Sequence, residues 1–460
     1  MVFDCFAVFV VSVGEGRSHQ SARREWELTA GNADYPVSAR WVSHSTGLLV
    51  TAAGDLNRSA FRPELPRRSA SAKAGASAGQ VFAEVLGRYG RDLYMARKLK
   101  SDRVLFVAAI VMVCVSVVMV YSASAPIALD DFKDPYYFLI RQGMWAVLGV
   151  AVMALAMRID YRSYRNDPLI WAVLGILGLM LAATLFSAPI NGARRWLSIA
   201  GLRFQPSEFA KLACVLFTAL MLERRMHRIN EISYSLTPIA IVTAILAGLI
   251  FVEPDAGTAM SLVMVVGVMV FAAGLSYRYI VGATLVAIPA LAVAVVWESY
   301  RIKRIFAFLD PWADRQGDGF QAVQSFIAVG TGGVTGRGLN ESVQKLFYLP
   351  FAHTDFIFAV IGEELGLIGT TATLACFCVI AWRGLRISAR AEDRFGSLFA
   401  LGITTMIVAQ ALINISVVLG LLPTKGIPLP LLSNGGSSLL VSLLGIGILL
   451  NISQHESADA

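Results

Sequence analysis

The stretch YLPFAHTDFIFAVIGEELGLIG, Tyr348 to Gly369, carries His353, Asp355, Glu363 and Glu364 in or beside a run that otherwise reads as an apolar helix. A carboxylate at the edge of such a run has two readings. Asp355 could cap the helix by accepting backbone N–H groups, or it could face water at the mouth of a cavity, with His353 beside it, and act as a general base. Glu363 and Glu364 follow about 12 to 14 Å further along, at 1.5 Å per helical residue. A charge at that depth costs about 2.5 to 3.5 kcal/mol on insertion scales, so both acids must be paired or face a polar interior. Gly362, Gly366 and Gly369 form a small-residue stripe suited to close helix packing.

Three further segments carry polar groups into apolar surroundings. In NGARRWLSIAGLRFQPSEFAKL, Asn191 to Leu212, the guanidinium groups of Arg194, Arg195 and Arg203 suit a phosphate or pyrophosphate, although arginines beside Trp196 also serve as interfacial anchors. Glu208 and Lys211 stand three apart on one face of the helix that Pro206 opens, a spacing that permits an ion pair and favours a structural role over a catalytic one. FVEPDAGTAM, Phe251 to Met260, reads as a tight turn between antiparallel spans, with Asp255 a secondary candidate for facing the cavity. LPTKGIPLPLLSNGGSSLL, Leu422 to Leu440, has too many prolines and glycines for a regular helix start. Such backbone is tolerated at membrane depth only where it is buried in protein or lines a cavity, so Lys425, Ser433, Asn434, Ser437 and Ser438 would point inward if it is more than a plain loop.

The elements that must position these groups are membrane spans. The 460-residue chain is 56% hydrophobic and 15% charged, with a mean hydropathy of +0.63, which excludes an ordinary soluble protein. Apolar runs predict ten spans, at about 104–125, 138–157, 168–188, 206–222, 236–253, 256–273, 279–298, 355–381, 397–422 and 429–452. The expected fold is therefore an all-α integral membrane protein of about ten transmembrane helices, with a long extracytoplasmic loop, 299–354, between the seventh and eighth. Arginines after spans two, four, six and eight, and the basic residues before span one, place those loops and both termini in the cytoplasm. Asp355, Arg194, Arg195, Arg203 and Lys425 then fall on the outer side. The formal charge of +7 is no sign of nucleic-acid binding, because the basic residues gather at span ends. The five cysteines show no disulfide framework and no metal-ligand spacing.

Residues 1–94 differ from the rest. They are rich in Ser, Ala, Arg and Gly with no sustained period, and are expected to be a disordered extension or to precede the true start at Met95, which opens the basic leader MARKLKSDR.

From about Met95 onward the chain resembles the SEDS family (shape, elongation, division and sporulation), which comprises FtsW, RodA and SpoVE. The resemblance is carried by VYSAS, NGARRWLSIAGLRFQPSEFAKL, EPDAGTAM, AHTDFIFAVIGEELGLIG and LPTKGIPLPLLSNGGSSLL, in that order. RIKRIFAFLDPWAD, GLNESVQKLFYLPFAHTDF and LPTKGIPLP make it most similar to the division branch, FtsW. Asn434 stands where the family usually has tyrosine, and Phe351 where an acidic residue often precedes AHTD.

The resemblance implies a peptidoglycan glycosyltransferase that polymerises lipid II on the outer face of the bacterial cytoplasmic membrane, at the division septum. It puts the family's essential aspartate on Asp355 and its paired acid and lysine on Glu208 and Lys211. The expected partners are lipid II, glycan linked to undecaprenyl pyrophosphate, a class B penicillin-binding protein that crosslinks the strands, and other divisome membrane proteins. On this reading Asp355 takes the proton of the attacking sugar hydroxyl, while Arg194, Arg195, Arg203 and Lys425, with His353, Ser433 and Asn434, are candidates for substrate or pyrophosphate contact. Glu363 and Glu364 are secondary candidates. A divalent cation, Mg or Mn, is the cofactor left open. A lipid II flippase and a non-catalytic scaffold that activates a transpeptidase are the competing readings; the gathering of candidates on the outer side favours surface chemistry over transport.

Overall fold

The computed structural model describes residues 101–188, 194–199, 202–279, 281–282, 284–286, 289, 299–346 and 348–456. The extension 1–94 and most of the expected seventh span lie outside the described residues.

In hydrocarbon a backbone N–H must find its acceptor within its own segment, so the apolar runs become helices. In chain order these are α1 (Arg103–Phe132), α2 (Tyr137–Ala156), α3 (Asp167–Thr184), α4 (Pro206–Arg225), α5 (Ile232–Val252), α6 (Ala256–Ala272), α7 (Ser299–Leu309), α8 (Phe320–Gly332), α9 (Ile357–Arg390), α10 (Arg394–Val418) and α11 (Gly436–Ser453). Seven described helices, α1, α2, α3, α5, α9, α10 and α11, are long and apolar enough to cross a membrane. α6 is apolar but has 17 residues. α4 has the length but carries Glu208, Lys211, Glu223, Arg224 and Arg225, and it buries most of its side chains among α3, α6, α10 and α11. The fold is an all-α multi-pass membrane bundle, as the hydropathy predicts.

Burial distinguishes inside from outside. In α10 and α11, 78% and 83% of the most apolar window is buried, against 22% in α2, so α10 and α11 form the interior while α2 presents much of its surface outward. α11 packs on α2, and α10 on α4, α6 and α9. The central pair thus touches the helices that bear most of the candidate residues.

Three features depart from the hydropathy reading. The long segment 299–354 is not a structureless loop, since it holds α7 and α8. The segment before α4 contains a short antiparallel pair, β1 (Leu197–Ile199) and β2 (Leu202–Phe204), with Ser198 opposite Arg203. The expected eighth span is α9, which is broken: Gly366 has φ 65° and ψ −157°, between two helical segments.

At that break the chain following α8 supplies the missing hydrogen bonds. Leu367 N and Ile368 N donate to the carbonyls of Gly333 (2.9 Å) and Val334 (3.2 Å), while Arg337 N and Gly338 N donate to those of Glu363 and Glu364 (3.0 Å each). Gly366 is thus required for its positive φ and for close backbone approach, because a Cβ there would lie 2.6 Å from the Val334 carbonyl oxygen. This corrects the expectation of a continuous glycine packing stripe. Gly362 does meet a neighbouring helix, its carbonyl lying where a Cβ on Gly332 would be, but Gly366 ends one helix and begins another.

Candidate active site

Asp355 lies at the end of a tight turn, 351–356, that leads into α9. Phe351 adopts a positive φ of 57°, and its carbonyl gathers the N–H groups of Thr354 (3.0 Å), Asp355 (3.2 Å) and Phe356 (3.4 Å). A bulky residue in the left-handed region marks a turn held in place by its surroundings. Ser433 is part of what holds it: its hydroxyl donates to the Thr354 carbonyl at 2.5 Å and accepts from Leu429 N at 2.8 Å. Asn434 N donates to the His353 carbonyl at 3.0 Å. Ser433 and Asn434 therefore touch the turn's backbone.

The capping alternative for Asp355 does not hold. The residue at the N-cap of α9 is Phe356, with no side-chain cap. Capping is instead done by Asp255 at the start of α6, which accepts from Thr258 N at 3.2 Å and from the Thr258 hydroxyl at 2.8 Å. Among the described residues no hydrogen bond is made to the half-buried Asp355 carboxylate.

The groups that act on that carboxylate come from distant parts of the chain. Burial raises Asp355 from the ordinary 3.8 to about 6; Arg195 opposes the rise, Asp255 adds to it, and Arg304 opposes it. Arg195 Nη1 stands 3.7 Å from Asp255 Oδ2, and its Nε is buried with no hydrogen-bond partner. Arg304, on α7, donates to the Thr424 carbonyl at 2.8 Å, next to Lys425. Lys425 is half-buried, with its Nζ 3.2 Å from Met260 Sδ. Gly426 leaves room for the acid, because a Cβ there would come within 2.8 Å of Asp355 Oδ2. The product is a carboxylate whose ionisation is favoured by two guanidinium groups that make no direct ion pair with it, with a second acid, Asp255, holding one of them.

The other expected residues divide. Arg194 is exposed and donates to the Leu185 carbonyl at 3.0 Å, and Arg203 is exposed on β2; neither is among the charged groups that act on the Asp355 carboxylate. His353 packs its ring against Phe138 at 4.8 Å, and burial lowers it to about 4, so at neutral pH it carries no positive charge to offer a pyrophosphate. Glu208 and Lys211 form the ion pair their spacing predicts, at 2.9 Å and almost fully buried. Glu363 and Glu364 are fully buried and paired with loop residues: Arg337 at 3.1 Å for Glu363, and Lys345 at 2.9 Å for Glu364.

Several contributors escaped the sequence reading. Arg304 sits in the quoted RIKRIFAFLDPWAD segment, but nothing local marks it as the basic residue that reaches the Lys425 loop. Glu253 is fully buried, bonded to the Thr184 hydroxyl, with its other oxygen unpartnered. Burial raises it to about 7. Gln205 bridges Ser207 (3.1 Å) and Asp255 (3.4 Å). Among the described residues no group of three or more His, Cys, Asp or Glu converges to hold a metal.

Comparison with known proteins identifies the family of the chain. The sequence pattern of the FtsW/RodA/SpoVE family, described as "Cell cycle protein", matches residues 102–458. The chain is similar to a probable peptidoglycan glycosyltransferase FtsW of Geobacter metallireducens, 44% identical over 77% of this chain and 95% of that one. It is also similar to stage V sporulation protein E of Bacillus subtilis, 40% identical over 78% of this chain and 99% of that one. Among solved structures it resembles one described as "Structural coordination of polymerization and crosslinking by a peptidoglycan synthase complex", with 32% identity and a TM-score of 0.65 over 78% of this chain and all of that one. It resembles the rod shape determining protein RodA of Thermus thermophilus as well, with 28% identity and a TM-score of 0.58 over 78% of this chain and 99% of that one. By a match that spans most of its length, the chain belongs to the FtsW/RodA/SpoVE family of cell cycle proteins.

Proposed function

We infer that this membrane protein is a peptidoglycan glycosyltransferase that polymerises lipid II into glycan strands during cell division, with Asp355 as the general base. The observation that carries the reading is the Asp355 carboxylate itself, which accepts no hydrogen bond from the described residues while Arg195 and Arg304 act on it. A structural acid would be satisfied by its neighbours; a base must keep an oxygen available for the proton it takes.

The acceptor is the 4-hydroxyl of the N-acetylglucosamine of one lipid II, and the donor is glycan joined through its reducing end to undecaprenyl pyrophosphate. A sugar hydroxyl is a weak nucleophile. Asp355 accepts its proton as the oxygen attacks the anomeric carbon, the bond to the pyrophosphate breaks, and the departing oxygen gains negative charge. Arg195, Arg304 and Lys425 are the cations that can stabilise that charge, and partial exclusion of water strengthens their effect. Arg194 and Arg203 do not act on the Asp355 carboxylate and have no part in this step. Asp255 supports it indirectly by holding Arg195.

By the positive-inside rule the site end faces outward, so the chemistry occurs on the outer face of the cytoplasmic membrane, with both termini inside and the protein at the septum. A class B penicillin-binding protein is the expected crosslinking partner, an inference that the likeness to a synthase complex supports. The test is polymerisation of purified lipid II by the wild type and by Asp355→Asn, with and without the cognate transpeptidase. Glycan formation by the wild type alone or with its partner, and none by the variant, is the expected result. Transfer of labelled lipid II across vesicles with no glycan formed would overturn the reading in favour of a flippase.

A further inference from the structure

We infer that Gln410 and Asn414, two buried side chains one turn apart on α10, are positioning residues that hold the Asp355 turn against the Gly426–Pro428 segment, and that the Glu208–Lys211 pair acts through Gln410. The inference rests on Asp355 being the base.

The sequence creates the need. LPTKGIPLP carries Pro423, Pro428 and Pro430, and a side chain on Gly426 would press on the Asp355 carboxylate. Proline has no N–H and this segment is not helical, so regular backbone pairing cannot hold it, yet its buried carbonyls still require donors. Two side-chain amides from α10 supply them. Asn414 Nδ2 donates to the Asp355 carbonyl at 2.7 Å and to the Ile427 carbonyl at 2.7 Å, so one amide group joins the turn that carries the base to the loop that carries Lys425. Gln410 Nε2 donates to the Pro428 carbonyl at 3.0 Å.

The ion pair decides which way Gln410 points. Lys211 Nζ donates to Gln410 Oε1 at 2.5 Å while it pairs with Glu208 at 2.9 Å. An ammonium group has three donors and no acceptor, so it must face the amide oxygen, and this leaves the amide NH2 for Pro428. Without Lys211 the amide oxygen loses its donor and the Pro428 carbonyl alone orients the group. Glu208 in turn holds the ammonium group in place from one turn away on α4. A pair that looks purely structural on α4 therefore reaches the active-site loop through one amide.

The experiment uses the full chain, purified with its transpeptidase, and measures kcat, KM and the pH profile of lipid II polymerisation. Asn414→Ala is expected to lower kcat on the order of 10²-fold, the effect of a misplaced catalytic group, with little change in KM. It should also displace the acidic limb of the profile, because a turn free to move changes the burial of the Asp355 carboxylate. If Asn414→Ala is not recovered as folded protein, Asn414→Ser, which keeps one donor, should show the same displacement with a smaller fall. Lys211→Met, Gln410→Leu and the double variant form a cycle, and the double variant should be no worse than the poorer single one. Wild-type kcat in Asn414→Ala, or a fall with an unmoved limb, overturns the role of Asn414. Multiplied losses in the double variant overturn the relay. Failure of the underlying reading looks different, since Asp355→Asn would then polymerise lipid II normally.

Discussion

Asp355 and the pair Glu363 and Glu364 are carboxylates on one stretch of chain, and their surroundings are opposite. Glu363 accepts from Arg337 (3.1 Å), Val343 N (3.0 Å), the Ser342 hydroxyl (2.5 Å) and Gln344 N (3.3 Å). Glu364 accepts from the Ser122 hydroxyl (2.6 Å) and Lys345 (2.9 Å). Both are fully buried with their oxygens occupied, whereas Asp355 has guanidinium groups nearby and no hydrogen bond from the described residues. An acid whose oxygens are all used fixes the chain around it. One whose oxygens remain open, and whose ionisation is balanced between burial and nearby cations, is suited to exchanging a proton.

That contrast can be broken at several points. The largest effect is expected from Asp355→Asn, which keeps shape and removes basicity: polymerisation should fall by about 10²- to 10⁴-fold, the usual contribution of a general base, with the melting temperature little changed. Lys345→Met should do the reverse. It leaves the Glu364 charge buried without its cation, at a cost of about 3–5 kcal/mol, seen as a lower melting temperature or loss of folded protein. Adding Glu364→Leu to it should recover part of that loss.

Gly366→Ala comes next, with a cost of about 1–3 kcal/mol for a side chain at positive φ, read by thermal unfolding, and more if the Val334 carbonyl cannot move aside. The pH profile sharpens the comparison from the other side. With Asp355 raised to about 6, the ionised base is lost below that value, so kcat should fall about tenfold per pH unit on the acid side. The sign for stability is opposite. A carboxyl raised in the fold stabilises it fully below the unfolded value near 4, and that contribution is lost as pH rises through about 6. The smallest effect belongs to Arg203→Ala, an exposed residue on β2 outside the cluster, which should change the polymerisation rate by less than about threefold, as befits a surface group.

The ion pairs at the other end of the bundle follow the structural pattern. Arg383 joins Asp102 at 2.5 Å, Arg224 joins Asp167 at 2.6 Å and Arg162 joins Glu392 at 2.7 Å, so the basic clusters that suggest topology also tie helix ends together.

Much of the fold was legible from hydropathy, because a segment that must satisfy its own backbone in lipid has few options. The starts of α4 at Pro206 and α6 at Ala256 coincide with the expected boundaries, each marked by a local signal, proline in one and Glu-Pro-Asp in the other. The break at Gly366 was not legible. GEELGLIG has an unbroken helical appearance, and what opens it is the backbone of residues 333–338, a partner far away in sequence. The Glu208–Lys211 pair was readable because both members lie on one helix face, while Lys345 and Arg337 were not, since nothing local joins them to Glu364 and Glu363.

By itself the sequence determined the class of the molecule, the approximate spans and the family, and it supplied Asp355 as the acid proposed for catalysis, because these readings depend on composition, short-range spacing and ordered motifs. Only the tertiary structure decided which cations act on Asp355, that Asp255 rather than Asp355 caps a helix, and that two amides on α10 bond the carbonyls of Asp355, Ile427 and Pro428. Those outcomes depend on interactions between residues as far apart in sequence as Arg195, Arg304, Asp355 and Asn414, and electrostatics and hydrogen bonds act through space, which no local pattern records.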